Sequence, residues 1–173
     1  MNPHHLDDEP LPTIVRWATF VPTNGSVLDV AAGGGRHARL FAERGHAVLA
    51  VDREVTALLA NPHPRIEVLA ADLEGAPWPL PGRRFAAVVV TNYLWRPLLP
   101  TLVASVARGG VLLYETFAAG HERFGRPRNP DFLLLPDELL ATVRGALDVV
   151  EFGQGEVGNP PTAVRQRLCA RRP

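Results

Sequence analysis

Cysteine is almost missing from this 173-residue sequence, where Cys169 stands alone. One thiol excludes an intramolecular disulfide framework and a zinc site of the usual multi-thiolate kind, and it suits a reducing compartment. Net charge is missing too, because eighteen basic residues balance eighteen acidic ones. No overall field therefore draws the chain to nucleic acid or to an anionic membrane, and a small-molecule partner fits better. No apolar run approaches the ~18 residues of a membrane span. The start, MNPHHLDDEP, has neither the basic segment nor the apolar core of an export signal. The expectation is a cytoplasmic protein. There is no internal repeat and no low-complexity tract, and His4 and His5 have too few ligand-type neighbours to suggest a metal site.

What is present is an apolar chain, 46% hydrophobic, of a length that builds one core and falls short of two. Residues 1–22 read as an N-terminal extension whose helix, Leu11 to Phe20, is a lid or a packing element. Strands are expected at Ser26 to Val30, Ala47 to Val51, Arg65 to Leu69, Phe85 to Thr91 and Val111 to Glu115. Helices are expected between them at Arg36 to Arg44, Glu54 to Ala60 and Pro97 to Ala107. A long loop, Phe117 to Leu135, is followed by a helix at Pro136 to Arg144. Two further strands, Leu147 to Phe152 and Ala163 to Ala170, flank a Gly/Pro loop and should form an antiparallel hairpin. Alternating strands and helices imply an α/β doubly wound, Rossmann-like sheet whose ligand sits beyond the carboxyl ends of the strands.

The stretch VLDVAAGGGRHARL runs from the first strand through three glycines into a helix. Unpaired N–H groups at such a helix start favour an anionic ligand group, and glycine lets that group approach closely. Gly33, Gly35 and Ala38 satisfy G-x-G-x-x-A, and Asp52 ends the next strand where it can bind ribose hydroxyls, a pattern that also fits NAD(P). Asp29 weighs against a pyrophosphate. Its carboxylate precedes the glycine turn, where it repels phosphate and suits an ammonium or sulfonium. S-adenosylmethionine carries both of those cations, a carboxylate for the loop amides and a ribose diol for Asp52. Asp72, after the third strand, can meet the adenine amino group, or can serve as a helix cap or Asx turn.

VLDVAAGGGRHARLFAERGHAVLAVD resembles the class I S-adenosylmethionine-dependent methyltransferases, small bacterial members similar to the tellurite-resistance methyltransferases. The resemblance implies one methyltransferase domain over 1–173, with a seven-stranded sheet in the order 3-2-1-4-5-7-6, mostly parallel with strand 7 antiparallel. It also implies that Asp29, Ala31, Gly33 and Gly35 bind the methionine portion. Asp52 then takes the ribose, Arg53 belongs to the same cofactor site, Asp72 with Leu73 borders adenine, and Thr91 and Asn92 lie beside the methyl group. Ala31 stands where the family usually has glycine, so the turn must accept a Cβ.

Methyl transfer from a sulfonium depends chiefly on positioning and exclusion of water, so no obligatory catalytic motif is expected. The candidates are polar residues ending the central strands: Asn92 and Tyr93, and Glu115 as a base or substrate orienter with Thr116 beside it. For Tyr93 and Trp95 packing is the favoured reading over substrate contact, whereas Glu115 is equally explained by capping a turn. Arg96, with His121 and Arg126 from a loop that also carries Arg123 and Arg128, is expected to bind substrate. His37 reads as a packing or backbone contact. TNYL departs from the Asn/Asp-Pro-Pro-aromatic motif of amino-methylating DNA enzymes, and the acceptor stays open. The alternatives are an NAD(P)-binding oxidoreductase and a non-catalytic S-adenosylmethionine-binding domain.

Overall fold

Valine- and leucine-rich runs, too short for helices and bounded by Gly, Pro or Asp, become the strands of one sheet. They are β1 (Val27–Val30), β2 (Val48–Asp52), β3 (Ile66–Ala70), β4 (Phe85–Thr91), β5 (Val106–Phe117), β6 (Asp148–Val157) and β7 (Ala163–Arg171). The computed structural model describes residues 9–173, so His4 and His5 lie outside the described residues. The sheet order is β3-β2-β1-β4-β5-β7-β6, as the family resemblance implied. Strands β1 to β5 pair in parallel, and β7 runs antiparallel to both β5 and β6.

Side chains alternate across each strand, so the sheet presents two apolar faces. Leu28, Val30, Val88, Val90, Leu112 and Leu168 point to one side, under α4 (Leu99–Ala104) and α5 (Glu138–Val143). Val27, Val89, Leu113 and Cys169 point to the other, under α1 (Pro12–Trp17) and α2 (Arg36–Glu43). The same parity places Asp29, Thr91 and Glu115 on the α1/α2 side, at or near the carboxyl ends of their strands. A fifth helix, α3 (Thr56–Ala60), follows β2. α1 is a packing element: Ile14 and Trp17 are buried, and the Trp17 indole N–H donates to Glu151 of β6 at 2.9 Å. Burying such side chains stabilises by roughly 1.5–3 kcal/mol each.

β5 and the helix before it differ from the sequence reading, and β6 runs on to Val157 rather than ending at Phe152. β5 begins at Val106, because the backbone around Gly109 and Gly110 pairs with the chain end. The Gly109 N–H donates to Arg172 O at 2.8 Å, and the Arg172 N–H to Gly110 O at 2.9 Å. Gly109 supplies the positive φ (+74°) that this irregular stretch requires. The helix expected to reach Ala107 therefore stops at Ala104. Within the long loop, short 3-10 turns form at His121–Arg123 and Pro130–Phe132, and Ala118 bridges to Leu134.

Candidate functional site

The turn after β1 bends through left-handed backbone at Ala31 (φ +53°), Gly33 (+54°) and Gly35 (+82°). A Cβ on Gly35 would lie 2.4 Å from Leu58 Cδ2 of helix α3, so that side chain would have to shift, and the left-handed backbone there favours glycine in any case. A Cβ on Gly33 or Gly34 would meet nothing within 4 Å. Open space therefore adjoins the backbone at the start of α2, while Ala31 holds a conformation that costs an L-residue roughly 1–2 kcal/mol.

Asp29 lies directly beneath this turn, 1% exposed, and its Oδ2 has no hydrogen-bond partner among the described residues. Burial raises its carboxyl to about 7; the Ala38 backbone N–H and the Arg36 charge oppose that rise, and Asp52 adds to it slightly. A buried, half-satisfied acid is costly unless something cationic or hydrogen-bonding completes it.

Asp52, at the end of β2, accepts the Gly33 N–H at 2.8 Å and the Glu54 N–H at 2.9 Å, one on each oxygen. Each oxygen keeps a further lone pair for a ligand. Beside it is a cavity of about 230 Å³ walled by Ala31, Asp52, Arg53, Asp72, Leu73 and Tyr93. Those six sequence candidates are brought together, and Ala71 and Glu74 complete the wall without having been picked out. Asp72 also caps its own turn, accepting the Glu74 and Gly75 N–H groups at 3.0 Å each, which hold its carboxyl below the usual range. Tyr93 is kept a neutral phenol by burial and by the nearby acids Glu74, Asp72 and Asp52.

His37 joins three elements. Its Nε2 accepts the Leu11 N–H at 3.1 Å, so the neutral ring carries its proton on Nδ1, which donates to Thr91 Oγ1 at 3.2 Å. Burial, aided by Arg36, lowers the imidazole to about 3. The next residue, Asn92, has φ +53°. Its N–H donates to the Glu115 carbonyl at 3.0 Å, and its Oδ1 accepts from Arg165 Nη1 at 2.8 Å.

Residues 27–109, a little under half of the chain, match a family described as a methyltransferase domain. The chain has the fold of a class I S-adenosylmethionine-dependent methyltransferase. TehB from Haemophilus influenzae superposes with a TM-score of 0.72 at 18% identity, over 95% of this chain and 63% of that one. This chain thus spans less than two thirds of the Haemophilus protein. The 1,6-didemethyltoxoflavin-N1-methyltransferase of Burkholderia thailandensis, solved with 1,6-didemethyltoxoflavin and S-adenosylhomocysteine bound, gives 0.68 at 20% identity over 93% and 76%. A TehB-like S-adenosylmethionine-dependent methyltransferase of Corynebacterium glutamicum gives 0.66 at 16% identity over 95% and 89%. Identities this low show a shared fold. No curated protein matches the sequence.

Within this methyltransferase fold, two of the three expected substrate residues, Arg96 and His121, are engaged elsewhere. The Arg96 guanidinium donates to both oxygens of Glu138 (2.7 and 2.9 Å) and to the carbonyls of Asp131 and Leu133 (2.8 Å each). It is a tether between α5 and the long loop. His121 is buried, stacked on Phe117 with centroids 4.1 Å apart. Its Nδ1 accepts the Val164 N–H at 3.4 Å, which leaves Nε2 to donate to the Arg126 carbonyl at 2.9 Å. The Arg126 side chain is exposed and lines no described cavity. Trp95 packs on the core, as its packing explanation held. Sequence reasoning missed Arg165, whose place beside Asn92 depends on the antiparallel register of β7. Among the described residues no group of three or more His, Cys, Asp or Glu is arranged to hold a metal, and no helix is long and apolar enough to cross a membrane.

Proposed function

We propose that the protein transfers the methyl group of S-adenosylmethionine to a small-molecule acceptor. The observation that carries this reading is the unpartnered Oδ2 of Asp29, buried beneath a glycine turn that has open space beside it. A pyrophosphate at that turn would face a negative or proton-bearing acid, whereas an ammonium group completes it. The residues present suit the remaining parts of the donor. The open space beside Gly33 and Gly34 at the start of α2 fits its carboxylate, Asp52 the ribose with Arg53 in the same wall, Asp72 and Leu73 the adenine, and Thr91 and Asn92 the neighbourhood of the methyl group. When bound, the cofactor supplies a methyl group on a sulfonium, already activated toward a nucleophile. The chain's part is then to fix the line of attack and exclude water. His37 keeps Thr91 in one orientation, and its own ring, held neutral, adds no positive charge next to the donor cation. Free, buried Cys169 is in keeping with a cytoplasmic enzyme.

Calorimetric titration with S-adenosylhomocysteine tests the reading. Saturable binding is expected, and none at millimolar ligand defeats it. The G-x-G-x-x-A spacing motivates the NAD(P) alternative, for which NADH fluorescence should change on mixing; no change is expected. Cofactor binding without turnover against any acceptor would leave a non-catalytic domain.

A further inference from the structure

A second cavity, of about 240 Å³, opens at the carboxyl ends of β4 and β5. Its walls include Asn92, Thr116, Tyr93, Phe117 and Phe132, and Tyr93 also walls the cofactor cavity, so the two adjoin. Three aromatic rings in so small a space favour a flat guest. At its edge Arg165 lies over the Phe117 ring, 4.2 Å from guanidinium carbon to centroid.

The charges around Arg165 are incomplete. Among the described residues its side chain makes one hydrogen bond, to Asn92 Oδ1, and one long ion pair, Nη1 to Glu115 Oε1 at 3.6 Å. Glu115 is 5% exposed, and its Oε2 has no hydrogen-bond partner among the described residues. A buried pair that keeps spare N–H donors on one side and a spare acceptor on the other is costly by itself, and a ligand that fills both removes the cost. Arg36 and Arg167 add positive charge around the guanidinium, which favours an electron-rich oxygen there.

Building on the methyl-transfer reading, we infer that this second cavity takes the methyl acceptor. We further infer that the acceptor is a flat ring compound whose edge offers a carbonyl or anionic oxygen to Arg165 and an N–H or O–H to Glu115. A lactam or amide edge has that donor and acceptor side by side. A purely structural Arg165–Glu115 pair would discriminate nothing among guests.

The test uses protein saturated with S-adenosylhomocysteine and two probes, followed by protein NMR titration. 2-Pyridone has the N–H beside the carbonyl, and N-methyl-2-pyridone keeps the carbonyl alone. The wild type should bind 2-pyridone at least about tenfold more tightly, the usual effect of one hydrogen bond to a charged group. Arg165→Met and Glu115→Leu should each weaken 2-pyridone by about the same factor while S-adenosylhomocysteine affinity stays within about twofold. Equal binding of the two probes, no binding of 2-pyridone, or variants without effect would overturn the inference. The wild-type comparison needs no variant, so a misfolded substitution does not shield it. Failure of S-adenosylhomocysteine to bind the wild type is a separate result and overturns the methyl-transfer reading itself.

Discussion

Replacing Asp29 by Asn should stabilise the protein above neutral pH while weakening its hold on the cofactor. Burial lifts this carboxyl from 3.8 to about 7. Below pH 3.8 it is protonated in both folded and unfolded chains and costs nothing; between 3.8 and about 7 only the unfolded chain ionises, so stability falls as pH rises. At about 1.4 kcal/mol per pH unit the penalty reaches about 4 kcal/mol and stays constant at higher pH. Asn keeps an oxygen for the Ala38 N–H but puts an amide NH₂ where Oδ2 lacked a partner, which costs roughly 1–3 kcal/mol. The net gain of the variant is about 1–3 kcal/mol at about pH 8, shrinking and reversing toward pH 4. Urea denaturation of both proteins across that range measures it, since every other titrating group cancels in the difference. A difference independent of pH would refute the reasoning.

Asp52→Ala should cost about 1.5–3 kcal/mol of S-adenosylhomocysteine affinity by calorimetry, since a charged acceptor leaves the ribose site; unchanged affinity in a folded variant contradicts the assignment. Arg96→Met should lower stability by roughly 2–3 kcal/mol in urea, because Glu138 and two loop carbonyls lose their donor at a partly exposed site. Retained stability would show that the tether carries little. His37 should appear in nitrogen-detected NMR as one neutral tautomer, protonated on Nδ1, down to about pH 4. Because its folded value lies below 6.5, its contribution to stability is present above 6.5 and is lost as pH falls toward about 3; His37→Phe should remove that acid-side loss.

Much of this architecture is legible locally. FAAVVVT is a continuous apolar run and forms β4 over the same residues, and Asp29 stands out as an acid in an otherwise apolar strand. The glycine turn announces itself because positive φ at Gly33 and Gly35 requires that residue type. What was illegible depends on contacts far apart in sequence. The Arg108-Gly109-Gly110 segment falls between the expected helix and the expected strand, and only pairing with Arg172 makes it strand. Arg96 looks like a free cation near the site, yet its partners lie 35 to 42 residues away. Arg165 reaches Asn92 across 73 residues, and its position opposite Phe117 comes from strand register alone. Its one sequence signal was the alternation of arginine with Val164, Gln166 and Leu168 along a buried strand.

The central claim, that a cationic amine completes the buried Asp29 carboxyl, is tested most directly by counting protons. S-adenosylhomocysteine should be titrated at about pH 6 in buffers of different ionisation enthalpy, where an acid raised to about 7 is mostly protonated before binding. Pairing with the ligand's ammonium should ionise Asp29 and release close to one proton per molecule bound, a release that Asp29→Asn abolishes. Tight binding without proton release, or release unaltered in the variant, would contradict the account.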